Sequence, residues 1–347
     1  MKSLEEISWQ VDEPTYRADP ALSYSNLSHY EKGGKFAALP TLFDQISTPS
    51  LVFGSMVDTL ITGSEEEFQQ QFITIEDPGL SDNLKEITMK LYERYKETRL
   101  RFDDIPDDIL SQVGRECNYY ADNRYVATRI KKIRENCKQY YNVLFLAEGK
   151  KVVSNVDVAD ARRCVEVLKT CPRTAFYFAD NDPFNREVER FYQLKFKQFC
   201  DGIEYRNMAD LIVVSHRSKT IQPCDLKTSS MNEWEFPKAF AQWRYDIQAR
   251  LYWRIIRKTL DQDEYFKDFK LLPFKFIVVN RVNCKPMVWD FAQTEALGNI
   301  KFDSPSGYIT TWRDPYVIGR ELKRYLEENP EIPFDTDRDI IHYLQNN

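Results

Sequence analysis

The chain has 347 residues and a formal net charge of −6, which excludes a polycationic protein that coats nucleic acid by neutralising phosphates over its whole surface. Its 22 Phe and 20 Tyr predict a globular chain with a substantial core. The seven cysteines form no C-x-x-C pair, and neither a signal peptide nor a membrane span is evident. We therefore expect reduced thiols in a soluble, cytoplasmic protein.

Helical patterns dominate the first half of the chain. The region 20–80 contains "LSYSNLSHY" and the mostly apolar helix "SLVFGSMVDTLITG", and the region 83–170 is helical and charged. No internal repeat and no linker rich in Pro or Gly divides the chain. The sequence predicts one domain over 1–347, with a helical insertion at 83–170 in its N-terminal half.

Strand patterns begin near residue 185. The stretch "REVERFYQLKF" alternates, and "ADLIVV" and "TIQPCDLKT" form a strand pair around the polar turn "SHRSK". One long helix, "FPKAFAQWRYDIQARLYWRIIRK", and the strands "PFKFIVVNRV" and "KPMVWDF" complete the region 185–295, before a helical region at 310–347. This order predicts an α/β fold with a central mixed β-sheet flanked by helices.

The candidate chemistry centres on Asp225 and Lys227, which share one face of a strand. The spacing alone is a weak signal, because it recurs elsewhere in the chain. With the hairpin turn centred near residue 217, Asp210 should lie opposite about residue 224, so that two carboxylates meet one ammonium group. A divalent cation would relieve the repulsion between the carboxylates, and the Leu226 carbonyl could add a ligand. The alternative is a solvated strand face.

The helix after this strand pair carries Tyr245, Gln248 and Tyr252 within about 60° of one face. Aromatic stripes usually belong to a core, but a buried amide needs hydrogen-bond partners. We therefore expect a polar face directed at the metal site or at a DNA phosphate. His216, in the turn between the two strands, is expected to be solvated.

With these residues assembled, the chain resembles the PD-(D/E)XK nuclease superfamily, and within it the RecB-type and exodeoxyribonuclease VIII (RecE-like) phage exonucleases. The similarity covers most of the chain and rests on five segments in order: "GSMVDTLITG", "REVERFY", "MADLIVV", "CDLKTSS" and "YDIQARLYW". The resemblance implies a restriction-endonuclease-like core. It also implies these roles: Asp210 and Asp225 as metal ligands, Lys227 as the catalytic lysine, and Gln248 and Tyr252 as supporting helix residues.

Two positions stay open under this resemblance. The upstream acid is Glu187 or Glu189, which strand parity places on one face, and either could instead be solvated. Asp58 stands where the RecB branch usually has His. Asp58 is then an additional metal ligand, or it only caps or solvates a helix turn.

The resemblance further implies a deoxyribonuclease that uses one or two Mg²⁺ or Mn²⁺ ions and no iron–sulfur cluster. It implies 5′-to-3′ exonuclease activity on linear double-stranded DNA ends in phage-type recombination. A single-strand annealing protein as partner, a homo-oligomeric ring and a location in the host cytoplasm belong to the same expectation. The alternatives are a structure- or site-specific endonuclease and a non-cutting nuclease-fold protein that binds DNA or a partner.

A basic stretch offers a candidate DNA contact in this acidic chain. Residues 124–151 carry eight Lys or Arg against two Glu, so Lys131, Lys132 and Arg134 are candidates for phosphate contacts. Tyr140 and Tyr141 are candidates for base stacking, and Tyr245 is a further candidate contact. A solvated helix face is the alternative for this stretch.

Overall fold

The structure, a computed structural model, describes residues 1–43, 49–77, 79–303 and 309–329. The chain divides into two compact units. The first consists of Met1–Leu51 and Glu166–Asn347, and the second of Val52–Val165. Each unit contains its own cluster of buried apolar side chains.

Helices and strands alternate in blocks along the described chain. The helices are α1 (Glu13–Ala18), α2 (Tyr24–Phe43), α3 (Pro49–Thr62), α4 (Glu65–Gln71), α5 (Asp82–Tyr95), α6 (Asp107–Glu116), α7 (Val126–Leu146), α8 (Asn155–Thr170), α9 (Ala175–Phe178), α10 (Phe236–Trp243), α11 (Tyr245–Asp261) and α12 (Pro315–Glu328). The strands are β1 (Phe72–Ile75), β2 (Lys151–Ser154), β3 (Val188–Cys200), β4 (Ile203–Ser215), β5 (Thr220–Ser229), β6 (Lys270–Leu271), β7 (Lys275–Asn280), β8 (Pro286–Asp290), β9 (Ile300–Asp303) and β10 (Ile309–Trp312).

The second unit is mainly helical. Its core forms where α5, α6 and α7 turn their apolar faces toward one another, and β1 and β2 add a short parallel pair. At the centre, the buried guanidinium of Arg129 donates a hydrogen bond to Ser111 Oγ at 2.6 Å. A Cβ on Gly114 would lie 2.7 Å from the Arg129 side chain, so only glycine allows α6 and α7 to pack this closely.

The first unit is built on a mixed sheet in the order β3-β4-β5-β7-β8, with β6 beside the start of β5. The β5–β7 pair is parallel, and the other neighbours along that order are antiparallel. Helices α11 and α12 pack against β4. The predicted α/β architecture, a central mixed sheet flanked by helices, is therefore present. The predicted C-terminal helical region, 310–347, is described only to residue 329, and it contains α12.

Both β3 and β4 switch faces at one shared level. On β4, core residues occupy odd positions up to Ala209 and even positions from Ile212 onward; on β3, the change falls between Phe191 and Leu194. The ladder skips the level of Gln193, whose φ is +53°, and Asp210. Because both strands switch faces at the same level, the pairing register between β3 and β4 is the same before and after that level. The simple alternation expected for "REVERFYQLKF" is therefore wrong at Gln193.

The long helix predicted after β5 is two helices. Arg244 lies between α10 and α11 with φ +55° and ψ 47°, a left-handed conformation that ends one helix before the next begins. Its guanidinium donates to both carboxylate oxygens of Asp246, at 2.8 and 3.1 Å. The prediction of a continuous helix was wrong because these side-chain bonds fix a corner that helical periodicity does not reveal.

Candidate active site

Asp225 lies on β5 between a cation and an amide. Its side chain is buried, with the residue 1% exposed, and Oδ2 lies 2.6 Å from Lys227 Nζ. The other oxygen, Oδ1, accepts a hydrogen bond from Gln248 Nε2 of α11 at 2.5 Å. Two positions of one strand and one position of the following helix therefore meet as the sequence predicts.

Asp210 joins this group from β4. Its Oδ2 accepts a hydrogen bond of 3.0 Å from the backbone N–H of Leu226. The β4–β5 ladder ends at the pair Leu211 and Cys224. By this register Asp210 lies level with Asp225, one residue beyond the predicted partner, residue 224. Beyond this point β5 leaves β4 but continues to pair with β7 on its other edge.

Where β4 no longer pairs with β5, the segment that leads into α2 lies beside β4. The backbone of Leu22 bonds to β4 at Glu204 and Arg206, which places the first turn of α2 next to the widening gap. Tyr24 in that turn lies with its ring centroid 6.4 Å from that of Tyr245. Tyr24 therefore belongs to the site, although the sequence analysis assigned it no role.

Aromatic rings enclose the charged groups. Lys227 Nζ lies 5.1 Å from the Tyr245 ring centroid. Burial lowers the pKa of Lys227, but the negative charges of the Asp225 and Asp210 carboxylates outweigh burial and raise that pKa well above its ordinary value. Burial raises the pKa of Tyr252 well above 10.0, and the nearby carboxylates add to the shift. Lys227 is therefore a permanent cation at neutral pH, and Tyr252 a permanent hydrogen-bond donor.

A chain of ion pairs fixes the start of α11. Besides bonding Asp246, the Arg244 guanidinium donates to Glu31 Oε1 at 2.7 Å. The other oxygen of Glu31 accepts from Arg313 at 3.1 Å. All five groups of this chain, which ends with Glu321 bound to Arg313, are in the first unit. This series of ion pairs connects α2 and α12 to the turn at the start of α11, the helix that carries Gln248 and Tyr252.

Neither candidate for the upstream acid lies near Asp225. Glu187 precedes β3, and Glu189 pairs with Val214, four residues along β3 from the level of Asp210, or about 13 Å. Glu189 accepts from His216 Nε2 at 2.7 Å and from Arg186 at 2.6 Å. His216 is buried, so the expectation that it is solvated was wrong: Glu189 binds it from the neighbouring strand.

The remaining candidates belong to the second unit. Asp58 lies on α3, where its backbone carbonyl accepts a hydrogen bond from Thr62. Arg134 bonds to Asp107 and to backbone carbonyls of the preceding segment, so its guanidinium is committed to packing. The expectation that Tyr140 and Tyr141 are available for base stacking was wrong, because both are buried on the inner side of α7.

Lys131 and Lys132 remain candidates for phosphate contacts. Lys131 is exposed, and its only ion pair with a residue that the structure describes is with Glu135 at 3.9 Å. Lys132 is partly buried, and its side chain has no ion pair among the described residues. Both can therefore reach a ligand without breaking a close ion pair.

Asp210 and Asp225 fit a hard divalent cation. The Asp210 and Asp225 carboxylates both lie near Lys227 and raise its pKa, and the buried Oε1 of Gln248 has no hydrogen-bond partner among the described residues. Mg²⁺ is commonly held by one or two carboxylates, with the remaining ligands supplied by water and substrate phosphate. No group of three or more His, Cys, Asp or Glu side chains comes together as a metal cluster in the described part of the chain.

Comparison with known proteins leaves the family assignment open. The sequence matches no protein-family model and no curated protein. Within the described ranges, none of the helices has the length and apolar character needed to cross a membrane.

Sequence reasoning missed two features of this site. Tyr24 stands in "LSYSNLSHY", a segment that the sequence predicts only as a helix, and its place beside Tyr245 depends on the backbone pairing of Leu22 with β4. The Glu31–Arg244 pair joins residues 213 positions apart. No local signal in one sequence could have found that pair.

Proposed function

We propose that the protein is a metal-dependent deoxyribonuclease with a restriction-endonuclease-like core of the PD-(D/E)XK type. The observation that carries the proposal is the buried carboxylate of Asp225, held between Lys227 Nζ at 2.6 Å and Gln248 Nε2 at 2.5 Å. A core that needed only packing would gain nothing from a buried ion pair that apolar side chains could replace. In a metal-dependent phosphodiester-cleaving centre, by contrast, a metal ligand, a cation and a residue that orients the ligand each have a role.

Asp210 and Asp225 would hold Mg²⁺ or Mn²⁺ through their oxygen atoms. Such a cation supplies Lewis-acid activation of water and neutralises charge at the phosphate. Lys227 keeps its proton and offsets the negative charge that develops on the phosphoryl oxygens. Gln248 fixes the orientation of the Asp225 carboxylate, and the Tyr252 phenol retains its proton as a donor.

The finer assignments follow the resemblance. We propose 5′-to-3′ exonuclease activity on linear double-stranded ends, with a single-strand annealing protein as partner, a homo-oligomeric ring as the assembly and the host cytoplasm as the location if the protein is phage-encoded. Asp58 is proposed as an additional metal ligand. Glu187 and Glu189 are not carried forward as site residues, because both lie at the far end of the β3–β4 pair.

The test is cleavage of end-labelled linear DNA and of closed circular DNA, each with Mg²⁺ or with EDTA. Loss of label from linear DNA alone, only with Mg²⁺, supports the exonuclease. Cutting of the circle indicates an endonuclease. DNA binding without cleavage in any metal would overturn the catalytic proposal and leave a nuclease-fold binding protein.

A further inference from the structure

Trp243 is an exposed aromatic residue at the edge of the candidate site. It is the last residue of α10 and 43% of its surface is exposed. Its backbone is fixed, because its carbonyl accepts a hydrogen bond of 2.7 Å from Tyr24 Oη. Its indole N–H has no acceptor among the described residues. Trp243 is therefore anchored to Tyr24 through its backbone, while a large part of the residue stays exposed to solvent.

Lys32 places a positive charge on this ring. Its Nζ lies 3.9 Å from the Trp243 ring centroid. Acidic residues outnumber basic ones, 54 to 48, in the whole chain, yet no carboxylate lies within ion-pair distance of Lys32 in the described ranges. An ammonium held on an aromatic ring, without a carboxylate to neutralise it, remains able to pair with an external anion.

The Lys32–Trp243 pair is directly connected to the charged centre. Tyr24, which holds the Trp243 carbonyl, lies against Tyr245, and the Tyr245 ring lies 5.1 Å from Lys227 Nζ. Lys227 in turn contacts Asp225. All of these residues are in the first unit. The Lys32–Trp243 pair therefore lies at the edge of the same cluster of side chains that contains Lys227 and Asp225.

We propose that Lys32 and Trp243 form a subsite for one nucleotide of single-stranded DNA beside the Asp225 centre. The Lys32 ammonium pairs with a backbone phosphate, and the exposed part of the Trp243 indole stacks on a base. An aromatic ring combined with a cation is the arrangement by which proteins hold single strands without reading their sequence. The inference rests on the proposed function, since it names the form of DNA that this site accepts.

The test is equilibrium binding of a fluorescent oligothymidylate in EDTA, where cleavage does not interfere. Trp243→Ala should weaken binding about tenfold, the size expected when one stacked base is lost. Lys32→Gln should make the slope of log affinity against log salt shallower by about 0.7, the value for one phosphate contact on a single strand. A fully paired duplex without single-stranded ends should respond less to Trp243→Ala.

Two matched variants serve as controls. Phe184→Ala removes another exposed ring, 97% exposed, which precedes β3 and has no cation against it in the described structure. Lys270→Gln removes an exposed lysine from β6, beside the opposite end of β5. Both controls should bind the oligonucleotide as the wild type does. Thermal unfolding of every variant checks that the fold is kept.

The outcomes separate this inference from the proposed function. If the wild type binds and cleaves DNA but Trp243→Ala and Lys32→Gln bind the oligonucleotide normally, the subsite is wrong and the nuclease stands. If the wild type binds the oligonucleotide through Trp243 but cuts nothing with Mg²⁺ or Mn²⁺, the catalytic proposal fails and the binding subsite stands. Variants that lose melting temperature without losing affinity would show that the pair only joins α2 to α10.

Discussion

Gln248 donates a hydrogen bond of 2.5 Å to Oδ1 of Asp225, so the helix α11 determines how the carboxylate on β5 is oriented. We predict that Gln248→Leu lowers cleavage by about 10- to 100-fold, the range seen when a partner that orients a metal ligand is removed. The Mg²⁺ concentration for half-maximal cleavage should rise at the same time. Gln262→Leu, at the end of the same helix, is the control and should cleave normally.

Gln248→Glu distinguishes orientation from packing. It places a second carboxyl group against Asp225 at nearly constant volume, and like charges there favour protonation of one of the pair. Cleavage by this variant should therefore recover partly as the pH falls, which a variant that only loosened the core would not do. The measurement is the pH profile of cleavage for the two Gln248 variants and the wild type.

Lys227→Ala should reduce cleavage by about 100-fold or more, because it removes a charge that acts on the transition state. Asp210→Ala and Asp225→Ala should do the same. Circular dichroism of each variant and Lys270→Ala as a control separate chemistry from folding. A folded Lys227→Ala protein with near-normal cleavage would contradict the assignment.

The raised pKa of Lys227 also predicts a pH response. The folded value lies above the ordinary 10.5 despite burial, so the ion-pair contribution to stability is complete below about pH 10.5 and is lost only as the pH rises through the folded value. Without metal, the free energy of unfolding between pH 7 and pH 10 should therefore change with pH to the same degree in the wild type and in Lys227→Arg, whose charge persists at every accessible pH. Parallel pH profiles of the wild type and this variant make the comparison.

Lys131→Glu combined with Lys132→Glu should weaken DNA binding and flatten its salt dependence, since phosphate contacts release counterions. Lys169→Glu combined with Lys270→Glu makes the same charge change on other elements and serves as the control. Arg134→Glu is predicted instead to destabilise the second unit, because its guanidinium bonds to Asp107 and Ile105. Equal salt slopes for the wild type and the first double variant would show that α7 does not contact DNA.

Asp58→Asn removes a charge at nearly constant volume. If Asp58 is a ligand, the variant needs more Mg²⁺ for half-maximal cleavage, because carboxylates are the stronger ligands for hard cations. Asp108→Asn, an exposed acid on α6, controls for the loss of one negative charge from the same unit. A Mg²⁺ titration of Asp58→Asn that overlays the wild type would leave Asp58 a residue of its helix only.

Asp314→Asn tests the buried ion pairs that Asp314 forms with two arginines of α11. Asp314 pairs with Arg250 at 2.9 Å and with Arg254 at 2.7 Å, and both guanidinium groups are buried. Removing the carboxylate should lower the free energy of unfolding by about 3–5 kcal/mol. Asp290→Asn, at a carboxylate that is 64% exposed, should change it by less than about 1 kcal/mol.

This effect should depend on pH with a defined sign. Burial raises the pKa of Asp314, but its bonds to Arg254 prevail and hold that pKa below the ordinary 3.8. The stabilisation is therefore complete above about pH 4 and is lost as the pH falls through the folded value. Denaturant unfolding should show a difference between the wild type and Asp314→Asn that is constant from pH 5 to pH 8 and shrinks below pH 4.

The sequence predicted those parts of the site that depend on local patterns. Strand parity brought Asp225 and Lys227 to one face, and helical spacing brought Gln248 and Tyr252 to another. It failed where backbone conformation departs from regular values, at Gln193 and at Arg244, both with positive φ. At Arg244 the corner is held by Asp246 and by Glu31, 213 positions away, and a single sequence does not reveal the second partner.

The shared face switch of β3 and β4 has a consequence for insertions and deletions. Deleting Gln193 alone would shift Leu194 and the rest of β3 by one residue against β4 and turn its apolar side chains away from the core. Deleting Gln193 and Asp210 together would restore the pairing, because the ladder already skips that level. The sheet can therefore pair without the level that contains Asp210, whereas the proposed metal-dependent cleavage requires the Asp210 carboxylate.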